Sequence, residues 1–154
     1  MYLSREDLVS EFHKAFGHPR GVPIDEKGLS FRYKLLFEEF TELKEEFAAA
    51  MADLSINGKV SVRTKERMLK EMADLQYVLS GMAVAFDLPL QVAFVRVHKS
   101  NMSKLGEDGK PVYREDGKVL KGSRYIPVDL EDLVEEKEEG QEDVPGYEYF
   151  GAPV

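Results

Sequence analysis

Acidic side chains recur at helical spacing in two places in this sequence. Glu38, Glu39 and Glu42 form the first set, and Glu71 and Asp74 form the second. Residues three or four positions apart share one face of an α-helix, so each set would present its carboxylates on one side of a helix. Two such helices lying side by side would bring four or five carboxylates together. These carboxylates would repel one another, whereas Mg²⁺ and Mn²⁺ favour hard oxygen ligands, so the pattern indicates a divalent-cation site.

Glu71 is the most informative of these acids. On a helical wheel it falls in line with an apolar stripe, and Asp74 lies at the border of that stripe, which consists of Met68, Leu75, Val78 and Met82. Burying a carboxylate costs free energy unless it is paired or bound to a metal. Glu38 and Glu42 lie further round their own helix. For these two acids an ordinary solvated face remains the alternative, because acids at this spacing are common on exposed helices.

Four helices are predicted to position the acids. Ser4 is a good N-cap for a first helix ending at Phe16 and Gly17. The others are expected at Ser30–Leu54, from 61 or 63 to 86, and from Pro89 to Met102, with a loop at 18–28 and a turn at 55–59. The second helix has an apolar stripe of Leu36, Phe40, Leu43, Phe47, Met51 and Leu54. This pattern predicts an all-α helical bundle, and its apolar stripes are too many for one copy to cover, so we expect an oligomer.

The character of the sequence changes after the fourth helix. Residues 106–130 contain two Asp-Gly turns and short β-prone pieces, and they predict a small hairpin or an ordered loop. A short helix is expected at 130–139. The domain is placed at 1–136, and 137–154 is interpreted as an acidic C-terminal tail.

Composition limits the function classes. A chain of 154 residues is expected to form one domain, and the absence of cysteine excludes disulfides and thiolate metal sites. No apolar run approaches the roughly 20 residues of a membrane span. The N-terminus is too polar for a signal peptide, so the expected location is cytoplasmic, without a membrane partner.

Charge is unevenly distributed along the chain. The formal net charge is −8, and residues 129–143 account for all of it. Residues 96–125 are basic on balance, which fits a phosphate-bearing ligand or a solvated loop. The chain lacks a long basic face, so nucleic acid is not an expected partner.

The ordered acidic sets resemble the signature of the all-α nucleoside triphosphate pyrophosphohydrolases. This superfamily includes MazG, the dimeric dUTPases and the phosphoribosyl-ATP pyrophosphohydrolase, and its signature is EExxE, a spacer and ExxD. Here 28 residues separate Glu42 from Glu71. Four further segments resemble the MazG-like branch: EFHKAFG (11–17), ADLQYV (73–78), VHKSNMSKL (97–105) and DGKVLKGSRYIPVDL (116–130). The sequence does not specifically resemble the histidine-biosynthesis enzyme, which makes phosphoribosyl-ATP a poor expectation for the substrate.

The resemblance implies a function and a set of roles. The expected reaction is Mg²⁺-dependent hydrolysis of a (deoxy)nucleoside triphosphate to the monophosphate and pyrophosphate, in nucleotide-pool sanitation or as a dUTPase-like activity. Mn²⁺ would substitute for Mg²⁺, and the expected assembly is a homodimer or a homotetramer. Metal ligands would be Glu38, Glu42, Glu71 and Asp74, with Glu39 binding metal or acting on the attacking water. The expected nucleotide contacts are Asn101, Lys104, Lys99 and Tyr77.

Two other classes of protein remain open at this point. One is a di-iron or di-manganese carboxylate bundle, although such sites use Glu-x-x-His pairs and Asp74 stands where the histidine would be. The other is a non-enzymatic helical adaptor whose acids are surface residues. It predicts no response to metal.

Overall fold

The structure is a computed structural model, and it describes residues 3–134. These residues form four α-helices and one 3₁₀ helix: α1 (Arg5–Phe16), α2 (Glu26–Asn57), α3 (Val62–Ala85), α4 (Leu90–Met102) and η1 (Glu131–Leu133). Helices α2 and α3 form an antiparallel hairpin, and α1 packs on α3. Because the described elements are all helices and no β-strand occurs within residues 3–134, the predicted all-α class is confirmed.

The first helix has the predicted ends. The side chain of Ser4 accepts a hydrogen bond from the backbone of Asp7, and the carboxylate of Asp7 accepts one from the backbone of Ser4 at 2.8 Å, which is a capping box. Gly17 ends the helix with φ +67°, a left-handed conformation that glycine adopts without steric cost.

The second helix is longer at both ends than the sequence pattern indicated. Asp25 caps its start, because its Oδ1 accepts a hydrogen bond from the backbone of Gly28 at 2.7 Å. Gly58 ends the helix at φ +68° and donates to the carbonyl oxygen of Leu54. The predicted helix start at Ser30 and end at Leu54 were therefore wrong. The loop predicted at 18–28 ends before Glu26, and the turn predicted at 55–59 begins after Asn57. Gly28 lies in the first turn of α2, although the sequence pattern assigned it to the loop. Gly58, the left-handed residue, directly follows the helix, although the pattern placed it in the middle of a turn.

Polar contacts fix the register of the α2–α3 hairpin. The Asp53 Oδ2 atom accepts hydrogen bonds from the backbone of Ser61 at 2.9 Å and from the Thr64 hydroxyl at 2.7 Å. The bond from the Ser61 backbone is the main reason why the pKa of Asp53 lies below its ordinary value. Further along, Arg67 Nε lies 2.9 Å from Glu46 Oε1. This register places the acids of α2 opposite those of α3.

The chain turns sharply after α3. Asp87 has φ +52°, and the axes of α3 and α4 differ in direction by 115°. Helix α4 has no buried residue. It contacts the following segment, in which Ile126 accepts a hydrogen bond from Ser100 at 2.8 Å and Asp132 pairs with Arg96.

The C-terminal prediction holds only in part. Tyr113 and Val119 form a single antiparallel bridge, so the expected hairpin or ordered loop is a loop closed by one pair of residues. Of the short helix expected at 130–139, the described part contains only η1. The proposed tail at 137–154 lies outside the described residues.

Large apolar side chains on α2 are exposed in the single chain. Leu43 and Ala50 are buried, but the exposed fractions of Phe40, Phe47 and Met51 are 55%, 54% and 68%. The predicted stripe is thus present along α2, although one copy of the chain covers only part of it. Exposed apolar surface of this kind marks a region where another molecule binds.

No single helix within residues 3–134 is both long enough and apolar enough to cross a membrane. Helices α3 and α4 together meet the length and composition criteria, but they are separated by the 115° bend.

The hairpin junction gives a stability prediction. Thr64 is buried, and Thr64→Val keeps its shape while removing the hydroxyl that donates to Asp53. Losing this hydrogen bond should lower the free energy of unfolding by about 1 kcal/mol and the melting temperature by roughly 2–4 °C.

Differential scanning calorimetry of Thr64→Val and Thr41→Val tests this prediction. Thr41 donates only to the carbonyl oxygen of Phe37 in its own helix, so its variant serves as the control. Equal melting temperatures for the two variants would contradict the assigned role of the Asp53 contact.

Candidate functional site

Three carboxylates from the two helices converge. Glu39 and Glu42 of α2 and Glu71 of α3 each place one oxygen within 4.8 Å of the others. Glu71 is 8% exposed, as its position in the apolar stripe predicted. The two acidic sets that lie 28 residues apart in sequence therefore meet in the fold.

The remaining two acids lie at the edge of this acidic centre. The side chain of Asp74 is 40% exposed, and its Oδ2 atom lies 2.9 Å from the Lys70 ammonium. Glu38 is exposed and lies outside the group of three, although its charge contributes to raising the pKa values of Glu39 and Glu42. Of the five predicted acids, three converge closely and two border them.

Lys70 is the residue that sequence reasoning missed. Its Nζ lies 2.9 Å from Asp74, 3.1 Å from Glu71 and 3.8 Å from Glu42. The hydrogen bond to Asp74 is the main reason why the pKa of Lys70 lies above its ordinary value. The ammonium therefore acts as the counter-ion of the acidic centre in the chain alone. The i,i+4 spacing from Lys70 to Asp74 was the available signal.

The protonation of the acids reflects their crowding. Burial raises the pKa of Glu39, and the charge of Glu42 raises it further. A hydrogen bond with Glu71 is the main reason why the pKa of Glu42 lies above its ordinary value, and burial raises it further. A group of crowded carboxylate oxygens is a suitable donor set for a hard divalent cation. Among the described residues no histidine joins the group, which argues against a di-iron type of site.

An aromatic pocket of about 220 Å³ is lined by residues of α1, α2 and α3, the last two being the helices that carry the acids. Its walls include Phe12, His18, Phe31 and Tyr77. The ring of Tyr77 meets the ring of Phe12 edge-on at 5.7 Å, and the Phe12 ring stacks on His18 at 5.8 Å. Tyr77 follows Asp74 by three residues, which is a rise of about 5 Å along the helix. A planar ligand in this pocket would therefore lie close to the carboxylates.

The other predicted nucleotide contacts lie at the C-terminal end of α4 and just after it. Lys104 Nζ donates a hydrogen bond to Asn101 Oδ1 at 2.6 Å, and Lys99 lines a groove with Ile126 and Val128. Within residues 3–134, no hydrogen bond or ion pair connects these three residues to the acids. In the single chain Tyr77 lies in the aromatic pocket, one helical turn after Asp74, whereas Lys99, Asn101 and Lys104 lie at the other end of the helical region.

Comparison with known proteins identifies related sequences and structures. The family model for phosphoribosyl-ATP pyrophosphohydrolase matches residues 9–101, a span that contains all five acids. A solved structure from Exiguobacterium sp. 255-15, provisionally named an NTP pyrophosphohydrolase, is 24% identical to the chain; the match covers 82% of this chain and 90% of that one, with a TM-score of 0.39. A comparison with curated proteins finds no match.

The position of Lys70 gives a prediction about stability without divalent cations. Lys70→Met removes the positive charge among three carboxylates, so these will repel one another unscreened. We expect this variant to have a lower melting temperature than the wild type at low ionic strength, and the difference should shrink in NaCl because salt screens the repulsion.

Lys65→Met is the matched control, because Lys65 is an exposed α3 lysine without an ion pair among the described residues. Thermal melts of both variants in the presence of a chelator, at low and high NaCl, test whether Lys70 neutralises the acids. Melting curves of Lys70→Met and Lys65→Met that coincide at low salt would show that Lys70 does not neutralise the acidic centre.

Proposed function

Because the chain belongs to the phosphoribosyl-ATP pyrophosphohydrolase family, we propose that it hydrolyses a nucleoside triphosphate to the nucleoside monophosphate and pyrophosphate. Family membership agrees with the resemblance to the all-α NTP pyrophosphohydrolase superfamily drawn from the acidic sets. The observation that carries the proposal is the convergence of Glu39, Glu42 and Glu71 on two helices that also line an aromatic pocket. The acids would bind the metal that holds the phosphates, and the pocket would bind the nucleobase.

The acids would hold Mg²⁺, or Mn²⁺ in its place. The proposed ligands are Glu42 and Glu71, which belong to the converging group, together with Asp74 and Glu38. A divalent cation bound there would polarise phosphoryl oxygens and lower the pKa of bound water. Lys70 would then be free to leave the carboxylates and donate to a phosphate oxygen of the substrate, since an ammonium suits that role.

Glu39 is the proposed catalytic base. Its pKa is raised by burial and by its acidic neighbours, so it holds a proton more firmly than an exposed glutamate does. A carboxylate of this kind accepts a proton from an attacking water more effectively at neutral pH. Its place among the converging oxygens puts it beside any water positioned by that site.

The pocket supplies the base-binding half of the site. Aromatic rings such as Phe12 and Tyr77 provide stacking and edge contacts for a nucleobase. Lys99, Asn101 and Lys104 are proposed to contact phosphate or sugar. In one chain they lie with the 103–129 segment, so this role requires α4 to approach an acidic centre, either its own or that of a second copy.

The proposed subfamily, substrate and location follow the resemblance of the sequence to the MazG-like branch. We propose a MazG-like enzyme of nucleotide-pool sanitation, with dUTPase-like activity as one form of it, located in the cytoplasm. The partner is a nucleoside triphosphate, with no nucleic acid and no membrane involved.

A homo-oligomer is proposed from the exposed apolar side chains. Phe40, Phe47 and Met51 follow one another along α2, each more than half exposed. Such a stripe is stabilised when a second copy covers it. A dimer or a tetramer would also complete the core, because few apolar side chains among residues 3–134 of the single chain are fully buried.

The products of nucleotide hydrolysis test the function. Purified protein with Mg²⁺ and a panel of common and modified nucleoside triphosphates should yield the monophosphate and pyrophosphate, resolved by ion-exchange chromatography. Glu71→Gln keeps the side-chain shape and removes a charged ligand, so turnover should fall roughly a hundredfold or more while circular dichroism stays unchanged. Glu66→Gln, an exposed glutamate of the same helix, should retain wild-type turnover.

Two results would contradict the proposal. Release of orthophosphate with the nucleoside diphosphate would show a different bond cleavage. Near-normal turnover of a folded Glu71→Gln would remove Glu71 from the metal site, and no turnover of any nucleotide would favour the adaptor class.

The oligomer is tested separately by sedimentation velocity. The wild type should sediment at a multiple of 17.5 kDa, and Phe47→Glu should sediment as a monomer, because burying its charge in the interface is costly. Val62→Glu, an exposed apolar position outside the α2 stripe, is the control and should leave the assembly intact. A monomeric wild type at micromolar concentration would refute the interface.

A further inference from the structure

Arg32 is a buried cation with unmet hydrogen-bonding capacity. It is 5% exposed, and its Nη2 has no hydrogen-bond partner among the described residues. Burial lowers the pKa of Arg32, as expected for a charge removed from water without a carboxylate beside it. The ring of Phe31, 5.5 Å from the guanidinium carbon, gives only a weak cation–π contact. A buried charge left in this state costs free energy, which a ligand with an acceptor atom would recover.

The guanidinium lies at the floor of the aromatic pocket. A Cβ atom added to Gly81 would lie 3.3 Å from Arg32 Nη1 and 3.4 Å from His13 Nε2. Arg32, His13 and Gly81 all line the pocket that contains Tyr77. Arg32 also lines a neighbouring cavity with Val22 and Phe86, so it stands in the wall between the two. The absence of a side chain at Gly81 leaves room for both polar tips.

His13 supplies the complementary group. Its Nδ1 lies 2.8 Å from the carbonyl oxygen of Pro19, which can only accept, so Nδ1 carries the proton. Burial lowers the pKa of His13, so the ring is neutral at pH 7. In this tautomer Nε2 has a free lone pair and acts as an acceptor. The pocket floor therefore presents a donor from Arg32 next to an acceptor from His13.

We infer that Arg32 and His13 read the edge of the bound nucleobase, and that they select a base with a carbonyl oxygen next to a ring N–H. This inference rests on the proposed function. Arg32 donates to the carbonyl oxygen, and His13 Nε2 accepts from the ring N–H. Uracil, thymine, guanine and hypoxanthine have this edge. Adenine and cytosine have an amino group and an unprotonated ring nitrogen in the same positions.

The spacing along α2 agrees with this placement. Arg32 precedes Glu39 by seven residues, a distance of about 10 Å along the helix axis. That separation leaves room for a sugar between a base at Arg32 and phosphates at the acidic centre. Charge also favours the assignment, because a cationic donor in a dry site binds a carbonyl oxygen strongly, whereas it can accept no hydrogen bond from an amino group.

Two matched substrate pairs test the inference. UTP and CTP, and ITP and ATP, differ within each pair only in the edge that Arg32 and His13 would read. For the wild type, we expect kcat/KM to favour UTP over CTP, or ITP over ATP, by about tenfold or more. In Arg32→Met the preference should fall to within about threefold, mainly through KM of the preferred substrate. Arg63→Met, an exposed arginine of α3, is the control and should keep the wild-type preference.

The melting temperature of the Arg32 variant distinguishes a role in base recognition from a purely structural role. Removing an unpaired buried charge should leave the melting temperature of nucleotide-free Arg32→Met equal to or above that of the wild type. A purely structural arginine would instead give a lower melting temperature and an equal loss for all four substrates. If Arg32→Met is not folded, Arg32→Lys keeps the charge without the planar fork, and it should retain only part of the preference.

The outcomes distinguish this inference from the proposed function. Pyrophosphate release with an unchanged preference in Arg32→Met, or a wild type that prefers CTP and ATP, overturns the role of Arg32. Failure to release pyrophosphate from any nucleotide overturns the function itself.

Discussion

Repulsion between carboxylates across the α2–α3 hairpin is the interaction on which this structure depends. Glu39, Glu42 and Glu71 converge and their like charges repel one another, so the hairpin must be held by other contacts. Those contacts lie toward the hairpin turn, where Asp53 binds Ser61 and Thr64 and where Arg67 pairs with Glu46. The fold thus fixes the register near the turn and leaves the repelling charges in the middle of the two helices.

Lys70 shows how the chain tolerates this charge. Its ammonium contacts Glu71 and Asp74 and neutralises part of the centre, yet its side chain remains 62% exposed. An exposed counter-ion is held weakly, because water competes for it. A centre neutralised in this way is well suited to exchange its lysine for a divalent cation, which binds carboxylate oxygens at several points. In our account, the same charge that the hairpin must resist is what makes the site useful for phosphate chemistry.

The sequence was sufficient for features that depend on local spacing. Ser4 and Gly17 marked the ends of α1, and the apolar stripe around Glu71 indicated a buried carboxylate. Features that depend on which residues a side chain contacts in the fold could not be predicted from the sequence. Lys70 looked like one of many surface lysines, and the burial of Arg32 depends on α1 and Gly81 closing over it. The α2 stripe was seen, but periodicity does not say whether the covering surface comes from the same chain or from another copy.

Direct binding of Mn²⁺ tests whether the converging acids form a divalent-cation site. Electron paramagnetic resonance measures free Mn²⁺ during titration with protein, at fixed ionic strength and without nucleotide. We expect saturable binding to the wild type that is lost or greatly weakened in Glu71→Gln and retained in Glu66→Gln. Equal Mn²⁺ binding by wild type and Glu71→Gln, or no binding by the wild type, would contradict it.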